Sequence, residues 1–257
     1  MQVVILCGGL GTRMIELTKT MPKPMVKILG VPIYRHIISI YLAHGFKDFH
    51  LALGYKSNVF IKNLFSKKDL KTKNKEFNKK GFICKKVIFQ KKIINIFLHN
   101  TGKHTMTGGR LKKLSSFLKK TFFLTYGDGV ANINIKKLLV HHKNKKKLVT
   151  ITAVRPPARF GVLKIKGSKV ENFKEKPQTS EGWINGGFFV MESAFLDFID
   201  GDDTILEKTP LEKVSSDGQL NCYKHKGFWQ CIDTKRERDM LEDMAKKNKN
   251  LWLSKKY

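Results

Sequence analysis

Apolar residues follow two patterns along the N-terminal part of the chain, and together they predict alternating strands and helices. A continuous apolar run such as that in QVVILC (2–7) is typical of a strand that is buried on both faces of a sheet, and TFFLTY (121–126) is predicted as a further strand. The segment IYRHIISIYLAHG (33–45) instead has apolar residues at helical spacing and ends in a glycine, a typical helix stop. Further strands are predicted at 49–53 and 147–154, and further helices at 57–65, 108–120 and 134–142.

Beyond Arg155 the pattern becomes richer in strands, and a last helix is predicted to start near Asp233 and Thr234. Because strands alternate with helices over the preceding residues, we predict an α/β fold with helices on both faces of the sheet. The expected architecture is a Rossmann-like open, mostly parallel sheet flanked by helices, with a strand-rich C-terminal half. We predict a single domain, 1–257, with two parts, 1–150 and 151–257. The C-terminal elements are strands at 160–165, 169–173, 183–191 and 219–225 and a helix near 211–216.

The charge of the chain is unusual, with 50 Lys and Arg against 21 Asp and Glu and a formal net charge of +29. Such an excess attracts polyanions, so nucleic-acid binding has to be considered. The lysines concentrate in three segments that lack the interleaved aromatic residues of an RNA-binding motif, which favours a solvated surface. Residues 66–98, which include the first segment, are rich in lysine, and their secondary structure is ambiguous from the sequence. The three segments are 67–80, 141–147 and 246–256.

Three further features narrow the class of protein. The sequence contains no run of about 18 apolar residues, so we expect no membrane span. Four widely scattered cysteines without a C-x-x-C pair argue against a zinc site or a disulfide scaffold. The N-terminus lacks the pattern of a signal peptide. We therefore predict a cytoplasmic protein.

The stretch VVILCGGLGTRM (3–14) ends a predicted strand in a glycine-rich turn. Ligands of open α/β sheets bind beyond the carboxyl ends of the strands, where this turn is expected to lie. Met14 breaks the dinucleotide fingerprint G-x-G-x-x-G/A, and no Gly-Lys-Ser/Thr follows as in a Walker loop. Backbone N–H groups, Thr12 and Arg13 can still hold phosphate oxygens. The alternative is a tight turn with a surface arginine.

Three charged residues elsewhere are candidates for the same site. Lys23 lies between the prolines of PKPM (22–25), which fix the backbone in a way that suits a lysine aimed at an anion. Asp128 lies in a G-D-G turn directly after a predicted strand, and Asp233 ends another strand-like segment. Each aspartate has a structural alternative: an ordinary turn for Asp128 and a helix N-cap for Asp233.

GGLGTR (8–13), followed ten residues later by KPMV (23–26), resembles the sugar-phosphate nucleotidylyltransferase family. Its members join a nucleoside triphosphate to a sugar 1-phosphate and release pyrophosphate. The resemblance covers nearly the whole chain, although residues 64–99 are diverged. Later motifs resemble the glucose-1-phosphate cytidylyltransferases within the family, namely NTGKHTMTGGRLK (100–112), YGDGV (126–130), RPPARFG (155–161), EKP (175–177), WINGGFF (183–189) and GFWQCIDT (227–234).

This resemblance implies a Mg²⁺-dependent transfer from CTP to α-D-glucose 1-phosphate, which gives CDP-glucose and pyrophosphate. It also implies a role in making deoxysugars of bacterial surface polysaccharide, such as lipopolysaccharide O-antigen. A phosphate whose second pKa is about 6 is already ionised near neutral pH, so the reaction needs cations rather than a general base. The resemblance accordingly implies Arg13 and Lys23 as catalytic cations. It implies Asp128 and Asp233 as Mg²⁺ ligands, since Mg²⁺ binds one or two carboxylates together with phosphate oxygens.

The resemblance also implies substrate contacts in both parts of the chain. Glu175 would hydrogen-bond sugar hydroxyls, and Lys176 would face the sugar phosphate. Thr105 and Arg110 would face the base, although Arg110 could equally belong to the first turn of a surface helix. The other implied contacts are Leu6, Gly8, Gly9, Leu10, Gly11, Thr12, Arg13, Lys23 and Asp128 for the nucleotide and Asn185, Gly186 and Gly187 for the sugar pocket.

Two alternatives remain open. A related enzyme that uses UTP or dTTP would share the glycine loop, but TMTGGR (105–110) and GFWQ (227–230) argue against it. A degenerate relative could bind nucleic acid through the basic surface, but the intact loop, Lys23 and both aspartates argue against that. The resemblance further implies a homo-oligomer, either a trimer or a hexamer, that acts on CTP and glucose 1-phosphate without a membrane partner.

Overall fold

A central eight-stranded sheet flanked by helices forms the core of the computed structural model. The structure describes residues 1–64, 82–156, 162–174, 182–248 and 251–252. The strands are β1 Gln2–Cys7, β2 Lys27–Ile28, β3 Val31–Pro32, β4 Asp48–Leu53, β5 Phe82–Phe89, β6 Lys92–Asn100, β7 Thr121–Tyr126, β8 Gly129–Ala131, β9 Val149–Val154, β10 Val162–Lys166, β11 Lys169–Lys174, β12 Ile184–Glu192, β13 Leu220–Lys224 and β14 Trp229–Cys231. The α-helices are α1 Ile15–Thr18, α2 Ile33–Ala43, α3 Ser57–Lys62, α4 Thr107–Lys112, α5 Ile135–Lys145, α6 Thr209–Ser216 and α7 Lys235–Lys247.

The strand order of the central sheet is β13-β9-β12-β7-β1-β4-β6-β5. All of its strands run in one direction except β12 and β5, which are antiparallel to their neighbours. β1 lies near the middle and pairs in parallel with both β4 and β7. The predicted fold class, an open and mostly parallel α/β sheet, is confirmed. Among the helices of the described ranges, none combines the length and apolar character that crossing a membrane requires.

Alternate residues of β1 enter two separate hydrophobic cores, one on each face of the sheet. Val3 and Ile5 pack into the core that contains Tyr41 of α2. Val4 packs into the core that contains Phe195. A strand buried on both faces needs an unbroken apolar run, which is the pattern that QVVILC shows.

Two regions differ from the elements that periodicity predicts. The lysine-rich region without a predicted element contains the hairpin β5–β6, and β6 pairs in parallel with β4 inside the sheet. The signal for β6 is the alternation of Ile94, Ile96 and Leu98, which are all buried. The helix predicted over 108–120 ends at Lys112, and a short 3-10 helix, Ser115–Phe117, follows it. Serines favour turns because their hydroxyls compete for backbone partners.

A buried histidine pair connects neighbouring strands β4 and β6. His50 and His99 are 2% and 4% exposed, and His50 Nδ1 lies 3.0 Å from His99 Nε2. Gln2 Nε2 lies 3.0 Å from His50 Nε2, and the ring of Phe97 stacks on His50. Burial lowers the pKa of His50 to about 3 and that of His99 to about 4. Both imidazoles are therefore neutral in the folded protein near neutral pH.

This pair should make the folded protein less stable in mild acid. Because an unfolded histidine titrates at about pH 6.5, the unfolded chain takes up protons first as the pH falls. The stabilisation that comes from burying the two imidazoles in their neutral form is therefore complete above about pH 6.5. It is lost as the pH falls toward the pKa values of His50 and His99 in the folded protein. In urea titrations between pH 7 and pH 4.5, we expect a His50→Gln/His99→Gln variant to lose less stability than the wild-type protein. Equal losses of stability in the variant and the wild-type protein would contradict this. His44→Gln is the matched control and should lose as much stability as the wild-type protein.

Candidate active site

The glycine-rich loop follows β1 directly, at the carboxyl edge of the parallel strands. Gly11 has a φ of +67°, and a Cβ there would lie 2.8 Å from Thr18 Cγ2. The turn therefore requires glycine for both its conformation and its packing. A short 3-10 helix, Thr12–Met14, continues the chain. The loop residues exposed at this edge are Gly9, Leu10, Thr12 and Arg13.

Four charged side chains from distant parts of the sequence meet beside this loop. Lys23 Nζ donates to Asp128 Oδ2 and to Asp233 Oδ1, both at 2.7 Å. Arg13 Nη1 donates to Asp233 Oδ2 at 2.8 Å. The lysine side chain is 15% exposed and the arginine side chain is 75% exposed. We call these four residues the charged cluster; it has a partly buried centre and an open, cationic side.

A two-stranded ladder explains how the two aspartates come together. β8 and β14 pair in antiparallel fashion, with Gly129 opposite Cys231. One further hydrogen bond, from Ile232 N to Asp128 O at 2.9 Å, extends the pairing by a step. Asp128 therefore lies directly before β8 and Asp233 lies two residues after β14, at the same end of this two-stranded ladder. Their separation of 105 positions in the sequence is closed by this pairing.

Gly127 lets the Asp128 turn approach the glycine loop and Lys23. A Cβ on Gly127 would lie 2.5 Å from the carbonyl oxygen of Leu6 and 3.0 Å from Pro24 Cγ. Any side chain there would push apart β1, the Asp128 turn and the short helix Lys23–Met25. The glycine before Asp128 thus provides the close packing that places Asp128 next to Lys23.

Asp233 is not the N-cap of the last helix. Thr234 caps α7, and its side chain accepts from the backbone N–H of Glu237 in a complete capping box. The Glu237 carboxylate in turn accepts from the backbone N–H of Asp233 at 2.7 Å. The capping alternative for Asp233 is therefore wrong, and its carboxylate instead contacts Lys23 and Arg13.

The charges of the cluster are strongly interdependent. Burial of Lys23 acts to lower its pKa, but the charges and hydrogen bonds of Asp128 and Asp233 outweigh burial, and the net pKa is raised. Cys231, at the end of β14, has its thiol pKa raised to about 12 by burial and then by the negative charge of both aspartates. Lys23 is thus a fixed cation. Burial and the negative charge of the two aspartates keep the thiol of Cys231 protonated.

The carboxylates of the cluster fit a hard divalent cation. Asp128 Oδ2 and Asp233 Oδ1 both lie 2.7 Å from the same nitrogen, so two carboxylate oxygens converge on one small positive group. Mg²⁺ binds one or two protein carboxylates and completes its shell with water and phosphate oxygens. In the described part of the chain, no group of three or more His, Cys, Asp and Glu side chains is arranged to hold a metal. Within the described residues, a cation here would therefore have Asp128 and Asp233 as its carboxylate ligands.

Arg110 lies underneath the glycine loop and is only 4% exposed. Its guanidinium donates to Gly8 O at 2.9 Å, Gly102 O at 2.7 Å and Thr101 Oγ1 at 2.6 Å. A Cβ on Gly8 would lie 2.3 Å from Arg110 Cζ, so the side chain packs directly on the loop backbone. Burial lowers the pKa of Arg110. The alternative of a surface-helix arginine is wrong; Arg110 connects the loop after β1 to the segment after β6.

Thr105, the other residue expected to face the base, is also held by protein partners. It is 6% exposed, and its hydroxyl donates to Thr101 O at 2.6 Å. Asp202 Oδ2 lies 3.1 Å from the same hydroxyl and accepts from Lys113 Nζ at 2.6 Å. Thr105 and Arg110 thus both hydrogen-bond to Thr101, in the segment that follows β6.

Replacing Arg110 by methionine should destabilise the folded protein. Methionine has a similar length but removes the charged donor from Gly8 O, Gly102 O and Thr101 Oγ1, and a hydrogen bond to a charged group contributes about 1.5–3 kcal/mol. We expect the free energy of unfolding in urea to fall by about 3 kcal/mol. Arg236→Met, on the exposed face of α7, is the matched control and should change stability by less than about 0.5 kcal/mol. Equal effects of the two variants would show that Arg110 does not support the loop.

β12 begins with the residues expected to line the sugar pocket. Asn185 Oδ1 accepts from the backbone N–H of Gly187 at 2.8 Å. Trp229 Nε1 donates to Gly186 O at 2.8 Å, which joins this bend to β14. Gly187 has a φ of +75°, and a Cβ there would lie 2.5 Å from the ring of Tyr126. Glu175 and Lys176 lie outside the described residues.

The structure adds two residues that the sequence patterns did not single out, Tyr126 and Glu207. Tyr126 Oη donates to Glu207 Oε1 at 2.5 Å and accepts from Asn185 Nδ2 at 3.0 Å. Tyr126 lies directly before the G-D-G turn, and this position in the sequence could have indicated that it lies near Asp128. Glu207 lies in a loop before α6 without a motif of its own, so only the three-dimensional structure indicates it.

Comparison with known proteins gives matches along the whole chain. Residues 2–234 match the family model described as nucleotidyl transferase. The chain is 43% identical to a glucose-1-phosphate cytidylyltransferase of Salmonella typhimurium over 98% of both chains. It is 37% identical to a probable glucose-1-phosphate cytidylyltransferase of Bacillus subtilis over 98% of this chain and 99% of the other. The crystal structure of HddC from Yersinia pseudotuberculosis has the same fold, with a TM-score of 0.70 and 22% identity over 95% of this chain and 98% of that one.

Proposed function

Because the chain belongs to the nucleotidyl transferase family, we propose that it transfers the CMP part of CTP to α-D-glucose 1-phosphate. The products are CDP-glucose and pyrophosphate. The observation that supports this most strongly is the charged cluster, in which Arg13, Lys23, Asp128 and Asp233 meet beside a glycine loop. The choice of CTP and glucose rests on the full-length similarity to glucose-1-phosphate cytidylyltransferases.

In the proposed reaction, an oxygen of the sugar phosphate attacks the α-phosphorus of CTP. The new P–O bond forms as the bond between the α-phosphorus and its bridging oxygen to the β-phosphorus breaks. No proton has to be removed, because the attacking phosphate is already ionised near neutral pH. The protein therefore has to bring two anions together and stabilise the charge on the leaving pyrophosphate.

Lys23 and Arg13 are proposed to supply the positive charge. Lys23 is fixed by two carboxylates and lies close to the loop, so its ammonium suits the α-phosphate at which bonds change. Arg13 is largely exposed and can turn toward the β- and γ-phosphates of the leaving group. A preorganised cation of this kind stabilises the transition state more than the ground state.

Asp128 and Asp233 are proposed to hold Mg²⁺, which supplies further positive charge to the triphosphate oxygens. Leu6 and the loop residues Gly8 to Thr12 are proposed to bind the nucleotide through their backbone, with Thr105 and Arg110 fixing the segment beside the base. Asn185, Gly186 and Gly187 are proposed to line the sugar pocket. Glu175 and Lys176 are proposed to contact the sugar hydroxyls and the sugar phosphate.

The test is a substrate panel with the purified full chain. Initial rates of pyrophosphate release are measured with Mg²⁺, glucose 1-phosphate and CTP, UTP, dTTP, ATP or GTP, one at a time. We expect turnover with CTP to exceed that with every other nucleotide. A preference for UTP or dTTP would favour a related uridylyl- or thymidylyltransferase. An inactive protein that binds DNA tighter than about 1 μM at physiological salt would favour the nucleic-acid-binding alternative.

The cellular setting of the reaction remains a set of predictions. These are a cytoplasmic location, a homotrimer or homohexamer, and a role in the supply of deoxysugars for lipopolysaccharide O-antigen. Sedimentation of the purified chain would test the assembly state directly.

A further inference from the structure

A continuous chain of hydrogen bonds connects the start of α4 to the sugar-pocket residues of β12. Thr107 Oγ1 donates to Glu207 Oε2 at 2.7 Å, and Tyr126 Oη donates to the other carboxylate oxygen at 2.5 Å. Asn185 Nδ2 donates to Tyr126 Oη at 3.0 Å, and Asn185 Oδ1 accepts from Gly187 N–H. One carboxylate therefore receives both hydroxyl groups at this point.

The Glu207 carboxylate fixes the direction of the hydrogen bonds from Thr107 and Tyr126, and the backbone N–H of Gly187 fixes that of its bond to Asn185. A phenol has a single hydrogen to donate, and Tyr126 gives it to Glu207, so toward Asn185 the phenol oxygen can only accept. Asn185 must then present its NH₂ group to Tyr126 and its carbonyl oxygen to Gly187.

We infer that Glu207 is a positioning residue that holds the Asn185 side chain in place for sugar recognition, because it keeps the lone pair of the Tyr126 hydroxyl turned toward the Asn185 NH₂ group. This inference rests on the proposed function, because it takes a sugar 1-phosphate as the ligand beside Asn185. With the amide locked, one N–H and one lone pair of Asn185 remain in fixed directions for sugar hydroxyls. Without Glu207, the phenol hydrogen can turn toward Asn185 Nδ2, where two donors would face each other, so that the amide would be held only through its bond from Gly187 N–H and could move.

Ring packing supports the same assignment. The Tyr126 ring fits against the backbone of Gly187, where a Cβ would lie 2.5 Å from Cδ2. The ring is also held edge-on by Phe189, with centroids 5.6 Å apart. Because the ring is fixed by packing, the carboxylate of Glu207 is needed to direct the hydroxyl hydrogen rather than to hold the ring. Replacing Glu207 should therefore weaken the discrimination between hexoses more than it weakens the stability of the fold.

The test compares steady-state kinetics of Glu207→Ala and Glu207→Gln with wild-type protein. We expect Glu207→Ala to raise the KM for glucose 1-phosphate about tenfold, with kcat and the KM for CTP within threefold of wild type. The kcat/KM preference for glucose 1-phosphate over galactose 1-phosphate and mannose 1-phosphate should fall about tenfold as well. Glu207→Gln should recover part of the loss, because its amide oxygen still accepts from Tyr126.

Two further variants make the result decisive. Glu212→Ala removes an exposed carboxylate from nearby α6 and should behave like wild type. Tyr126→Phe should reproduce the loss, and adding Glu207→Ala to it should cause little further change, since both act through the same hydroxyl. The inference is overturned if Glu207→Ala matches Glu212→Ala, if it raises both KM values equally, or if the double variant is additive.

Failure of the proposed function would look different. If wild-type protein does not turn over CTP with glucose 1-phosphate, the proposed function fails. The same variants are then compared with whichever pair from a panel of nucleoside triphosphates and hexose 1-phosphates the wild-type protein uses. If it uses none of them, the positioning role of Glu207 fails as well.

Discussion

Asp128→Asn should lower kcat with CTP and glucose 1-phosphate by about 10³-fold, equivalent to about 4 kcal/mol of transition-state stabilisation. The substitution keeps the size of the side chain and removes its negative charge. Asp128 is one of only two carboxylates that contact Lys23 in the described residues, and an amide is a far weaker ligand for Mg²⁺. Initial rates at saturating substrates measure the effect.

A second readout separates loss of metal binding from misfolding. Mn²⁺ binding in the presence of CTP, followed by electron paramagnetic resonance, should weaken at least tenfold in Asp128→Asn. The matched control is Asp217→Asn, an exposed aspartate at the end of α6, which should bind Mn²⁺ and turn over like wild type. If Asp128→Asn keeps kcat within tenfold of wild type, the metal role of Asp128 is lost.

Lys23→Met should produce two effects of opposite sign. The kcat should fall about 100-fold, because the substitution removes a cation fixed next to the reacting phosphate and keeps the length of the side chain. Divalent cations should bind more tightly in the absence of nucleotide, because Lys23 Nζ lies 2.7 Å from both aspartates and competes with any cation for their oxygens. Steady-state kinetics and titration calorimetry with Mn²⁺ measure the two effects.

Lys27→Met is the control for this pair of effects, since Lys27 is an exposed lysine four positions further along the chain. It should alter neither kcat nor Mn²⁺ affinity. A Lys23→Met variant with wild-type affinity for Mn²⁺ would contradict the competition between ammonium and metal. A fall in kcat of less than tenfold would mean that Lys23 lies at the periphery of the reaction.

The parts of the fold that periodicity determines could be predicted from the sequence. Runs such as QVVILC report burial on both faces of a strand directly, because no polar residue interrupts them. The carboxyl edge of such a sheet then has to carry the glycine loop and the Asp128 turn. Lys23 was indicated by its two flanking prolines. Each of these signals lies within a few consecutive residues, so it can be read from the sequence alone.

What the sequence could not provide are contacts made across long separations. The pairing of β8 with β14 brings Asp233 to Lys23, and no local pattern specifies that a strand of three residues has this partner. For the same reason, Arg110 gave no sign that its guanidinium would lie under Gly8. The motif suggests that Arg110 contacts the nucleotide, but its burial and hydrogen bonds in the structure indicate that it supports the glycine loop.

A competition experiment tests the transfer of CMP to glucose 1-phosphate most directly. The purified chain is incubated with Mg²⁺, glucose 1-phosphate and equal concentrations of CTP, UTP, dTTP, ATP and GTP, and the nucleotide sugars are identified by mass spectrometry at low conversion. CDP-glucose should exceed every other nucleotide sugar at least tenfold. A different predominant nucleotide sugar, or none formed at all, would contradict the proposed function.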